Sequence, residues 1–78
     1  MEKVRVLVVE DELEINNLIK DALSKEGLEV LQAFDGKEAM VCFSPSEISL
    51  VILDVMLPYI DGIEVLRRIR ESSTVHVL

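Results

Sequence analysis

The chain has 78 residues, half of them hydrophobic and 29% charged, with three glycines, two prolines and one cysteine. That balance belongs to a globular domain and excludes both a disordered tail and a disulfide-stapled scaffold. Fifteen carboxylates against eight Lys and Arg give a net charge of -7, which excludes a basic nucleic-acid-binding face. No apolar run approaches the ~20 residues of a membrane span. The opening Met1-Glu2-Lys3-Val4 has no apolar signal region. The expectation is therefore a cytoplasmic domain with no membrane contact, a single domain over 1–78 whose one core is marginal at this size.

Val4 to Val9 (VRVLVV) is short, β-branched and almost wholly apolar, the pattern of a strand covered on both faces in a parallel sheet. After Glu10-Asp11, the residues Leu13, Ile15, Leu18, Ile19, Ala22 and Leu23 recur at helical spacing. Asp11 and Glu14 are spaced as a capping box, and Gly27 is a natural stop. Leu28 to Ala33 reads as a second strand, Asp35-Gly36 as a turn, and Lys37 to Phe43 as a short helix ending before Ser44-Pro45-Ser46. Ser49 to Leu53 is a third buried strand closed by Asp54, followed by an irregular segment with Pro58. From about Gly62 a helix is expected, with Asp61 and Glu64 at capping-box spacing and Ile63, Leu66 and Ile69 as its buried stripe. Arg67, Arg68 and Arg70 then lie on exposed or end positions that suit the helix dipole. Val75 to Leu78 is the last strand candidate.

This alternation, β1-α1-β2-α2-β3-α3-β4, calls for a doubly wound parallel α/β sheet with right-handed crossovers and helices on both faces. In such sheets ligands bind beyond the carboxyl ends of the strands where strand order reverses, between strands one and three in the flavodoxin-like order. Glu10 and Asp11 follow strand one and Asp54 ends strand three, so three carboxylates from distant parts of the chain should meet there. Two unit charges about 5 Å apart repel by roughly 3 kcal/mol at an effective dielectric of ~20, so the cluster should raise its pKa values or hold a cation. Hard oxygen ligands with room for water and a phosphate suit Mg²⁺. Asp54, the lone acid in the run LVILDVML, is the candidate nucleophile for carrying a phosphoryl group as an acyl phosphate. Spacing alone offers the backbone carbonyl of Met56 as a further metal ligand.

Plainer roles stand beside these. Asp11 can cap the first helix, Glu10 can be a solvated strand-end acid, and Asp54 a turn former. Cys42 and Met40 read as packing residues, His76 as structural, Tyr59 as an ordinary loop residue and the three arginines as a solvated helix end. No glycine-rich loop followed by Lys-Ser or Lys-Thr occurs, which excludes a P-loop.

The segments VRVLVVEDE, the Asp-Gly turn after strand two and LVILDVMLPYIDGIEVLRRIR together resemble the receiver domain of two-component response regulators, from Val4 to Leu78. The resemblance implies that Glu10 and Asp11 bind Mg²⁺, that Asp54 accepts phosphate from a histidine kinase's phosphohistidine, and that the Met56 carbonyl completes the metal site. It marks Pro58 and Gly62 as loop landmarks. It also implies a Thr or Ser after strand four and a Lys after strand five, both beyond Leu78, so the expected fold is a flavodoxin-like receiver left incomplete after its fourth strand. VRVLVVEDE and RRIR are similar to receivers joined to winged-helix transcription factors, which implies an output domain in the parent. An alternative is a non-switching module that self-associates through the exposed strand-four edge. A phosphohydrolase is a poorer match, because those enzymes place a second Asp two residues after the nucleophile, where this chain has Met56.

Overall fold

The computed structural model describes residues 4–54, 57 and 61–78. It contains β1 (Arg5–Val9), α1 (Leu13–Lys25), β2 (Glu29–Ala33), α2 (Gly36–Cys42), β3 (Leu50–Leu53), α3 (Gly62–Arg70) and β4 (His76–Val77). The strands form one sheet in the order β2-β1-β3-β4, and every neighbouring pair is parallel. This is the expected doubly wound architecture, with strand boundaries displaced by a residue or two.

Alternation along β1 sends its residues to two faces. Leu7 and Val9 join Ala33, Ala39, Ile48, Val51, Val65 and Ile69 in the main core, so α2 and α3 cover this side. Val6 and Val8, equally buried, point to the opposite side, where α1 packs on β1 and β2. The helical phase of α3 is set by Gly62, Val65 and Ile69, which are buried. Ile63, expected in that stripe, lies two residues before Val65 on the outer side of the helix and is 64% exposed; Leu66 is half-buried on its flank.

The helix ends follow local chemistry. Asp35, expected in a turn, is the N-cap of α2: its side chain accepts from the Glu38 amide at 2.8 Å, and the Glu38 carboxylate accepts from the Phe34 amide at 2.7 Å. The helix consequently starts at Gly36. Asp61 caps α3 as its spacing predicts, accepting from the Glu64 amide at 3.0 Å. Gly27, at φ +86°, ends α1 with the Gly27 amide on the Ser24 carbonyl and the Leu28 amide on the Leu23 carbonyl, a Schellman termination that needs a left-handed residue. Among the described residues no helix is long and apolar enough to cross a membrane.

Candidate functional site: an acidic cluster between two central strands

Strands β1 and β3 are neighbours with Val9 opposite Leu53, so the residues leaving their carboxyl ends emerge side by side. The Asp54 amide donates to the Val9 carbonyl at 3.0 Å, and the Glu10 amide donates to the Ala33 carbonyl of β2 at 3.0 Å. These bonds carry the sheet pattern one residue past each strand and bring Glu10, Asp11 and Asp54 together. One carboxylate oxygen from each lies within 4.8 Å of the others. Glu10 and Asp54 are half-buried and Asp11 is exposed, so the cluster opens to solvent on one side.

Burial pushes the Glu10 carboxyl above the usual carboxylate range; a hydrogen bond with Asp11 and the negative charges of Asp54 and Asp11 push it the same way. The Glu12 amide opposes this by donating to Glu10 Oε2 at 3.0 Å. That bond bears on the expected cap. The N-cap of α1 is Glu12, and its side chain makes no capping bond. Asp11 lies one position too early to cap, and its carboxylate belongs to the cluster instead.

The sequence reading missed Asn16, the one buried residue of α1. Its Nδ2 donates to the Glu10 carbonyl at 2.9 Å and the Ala33 carbonyl at 3.0 Å, while Oδ1 accepts from Gln32 Nε2 at 2.9 Å. The available signal was an amide between Leu13 and Ile19, three residues from each, on a helix otherwise patterned by aliphatic side chains.

Other candidates fall away from the cluster. Met40 and Cys42 are half-buried against the main core as packing residues. His76 is exposed in β4, opposite Leu50. Arg67 and Arg68 pair with Glu64, Arg67 also with Glu71, and Arg70 donates to the Val75 carbonyl at 2.6 Å. Met56, Pro58 and Tyr59 lie outside the described residues.

Three hard oxygen donors converging from two loops, with an open side, fit a small divalent cation that keeps several water ligands, as Mg²⁺ does. A 2-1-3-4 parallel sheet with an acidic cluster at its switch point is a flavodoxin-like arrangement, and comparison with known proteins gives it a family. The chain matches the family model described as response regulator receiver domain over residues 6–78, and it belongs to that family. It is 49% identical over 70 residues to the transcriptional regulatory protein TrcR of Mycobacterium tuberculosis, covering 90% of this chain and 27% of TrcR. It is 49% identical over 74 residues to the uncharacterized transcriptional regulatory protein YrkP of Bacillus subtilis, covering 95% of this chain and 32% of YrkP. The chain thus spans about a third or less of these relatives. Among solved structures it resembles the response regulator TrrA of Thermotoga maritima in complex with Mg²⁺-BeF, at TM-score 0.86 and 40% identity over 95% of this chain and 65% of that one. TrrA has also been solved in complex with the histidine kinase ThkA, with the same similarity to this chain.

Proposed function

We propose that this chain is the phosphoacceptor part of a response regulator, receiving a phosphoryl group on Asp54 from a histidine kinase. The observation that carries the reading is the meeting of Glu10, Asp11 and Asp54 within 4.8 Å. The oxygens of these residues would hold Mg²⁺, with the Met56 carbonyl as a further ligand. Bound there, Mg²⁺ would supply positive charge to offset that of the attacking carboxylate and the incoming phosphoryl oxygens. An Asp54 oxygen attacks the phosphorus in line; the O–P bond forms, the P–N bond of the phosphohistidine breaks, and the departing imidazole takes its proton from solvent. The bond from the Asp54 amide to Val9 fixes the main chain from which that carboxylate projects.

The role is stoichiometric acceptance and not turnover, in the cytoplasm, within a partial receiver domain whose parent carries a transcriptional output domain. The transcriptional regulatory names of TrcR and YrkP and the kinase complex and Mg²⁺-BeF complex of TrrA support these partners and this cation. The test is mass spectrometry after incubation with acetyl phosphate: one phosphoryl group is gained with Mg²⁺, none with a chelator and none in Asp54→Asn. Equal modification of the variant overturns the assignment. A second reading rests on β4, which is at the edge of the sheet among the described residues; pairing of that edge with another copy would give a dimer, and a monomer by light scattering refutes it.

A further inference from the structure

We propose that Asn16 is a positioning residue for the acidic cluster: its buried carboxamide clamps the main chain at Glu10 and thereby sets where the Glu10-Asp11 pair stands relative to Asp54. The inference rests on the metal-site reading given under Proposed function. Strand β1 ends at Val9, so no further strand residue directs the chain through Glu10. Its amide is tied to the Ala33 carbonyl at 3.0 Å and its carbonyl to Asn16 Nδ2 at 2.9 Å. The second Nδ2 proton goes to the same Ala33 carbonyl at 3.0 Å. One side chain on α1 therefore joins the end of β2 to the peptide group between Glu10 and Asp11. The partners also fix the orientation of the amide, because Oδ1 turned toward two carbonyls would meet only acceptors. Oδ1 instead accepts from Gln32 Nε2 at 2.9 Å, and Gln32 donates again to Asn17 Oδ1 at 2.8 Å, bracing the clamp from β2.

Position argues against a purely structural role. Asn16 is 0% exposed, and its side-chain hydrogen bonds go to Glu10, Ala33 and Gln32, all outside α1. The bonds made are those that hold the acidic loop. Residues that orient metal ligands without touching the metal weaken binding by about 10–100-fold when removed. A main-chain clamp acting on two of three carboxylates belongs near about tenfold.

The experiment is a Mg²⁺ titration of the whole chain followed by amide NMR, reading only native resonances, together with hydrogen exchange of the Glu10 amide in chelator. Asn16→Leu weakens Mg²⁺ binding about tenfold and speeds Glu10 exchange; Gln32→Met, which removes the brace alone, weakens binding by a smaller factor and carries the test if Asn16→Leu does not fold. Val65→Ala, a core truncation outside the cluster, lowers stability and leaves the native-state Mg²⁺ affinity unchanged. Unchanged affinity in both Asn16→Leu and Gln32→Met, or an equal loss in Val65→Ala, overturns the proposal. A wild-type chain that fails to bind Mg²⁺ overturns the proposed function instead, and the clamp then stands or falls on Glu10 exchange in Asn16→Leu.

Discussion

Asp54→Asn should stabilise the metal-free protein, because it keeps the shape of the side chain and removes one of three mutually repelling charges. With carboxylate oxygens within 4.8 Å, each pair repels by about 0.9 kcal/mol at the dielectric of water and about 1.7 kcal/mol at half that value. The substitution removes two pairs, those with Glu10 and Asp11. Screening at ~0.1 M salt, where the Debye length is about 10 Å, leaves about 1–2 kcal/mol from relief of these two repulsions. For a domain of this size that is a rise in Tm of roughly 5–15 °C. The assay is thermal unfolding in chelator at low and high salt, then in millimolar Mg²⁺. The gain should shrink with salt and reverse with Mg²⁺, which binds the folded wild type and stabilises it by mass action. In the same variant the Glu10 carboxyl should titrate lower than in wild type, but only part of the way to normal, since burial is its largest perturbation and remains. No stabilisation in chelator, or a gain that ignores salt, refutes the electrostatic account of the cluster.

Three further outcomes test the scaffold. Ile69→Ala empties a fully buried position between α3 and the sheet; it should cost about 2–5 kcal/mol in urea unfolding, a large share of the stability of so small a domain. Gly27→Ala meets no atom within 4 Å, so its cost is the left-handed backbone alone, about 1 kcal/mol, and Gly27→Asn should cost less in the same assay. Glu64 is held down to about 2 by hydrogen bonds from Arg67 and Arg68. Because this value is below the ordinary 4.5, its contribution to stability is complete above that pH and disappears as pH falls from 4.5 toward 2. Glu64→Gln should flatten the pH dependence of Tm in that window, and an unchanged slope would show that the arginine pairs do not persist in solution.

The alternation of elements was legible because each signal is local. The β-branched run at Val4 to Val9, the cap at Asp61 and the stop at Gly27 act within a few residues, through propensity, hydrogen bonding and backbone freedom. The cluster could be anticipated from Glu10, Asp11 and Asp54 because parallel order fixes which strand ends become neighbours. Other features depend on partners distant in sequence. Asp11 was expected to cap α1, yet the Glu10 carboxylate takes the Glu12 amide at 3.0 Å and the helix begins later. Ile63 has the hydropathy of a core residue, but Val65 and Ile69 set the phase of α3 against the sheet and turn it outward.

By itself, then, the sequence determined the order of strands and helices and the identity of the three acids, since patterning and residue chemistry need no knowledge of the rest of the chain. Only the tertiary structure decided how the acids are held. Glu10, Asn16, Gln32 and Ala33 meet because β1 and β2 pair in register and α1 packs across them. Until that packing excludes water, the Asn16 carboxamide is satisfied by solvent and carries no positional information; once buried, it must find the carbonyls of Glu10 and Ala33, and in doing so it fixes the loop.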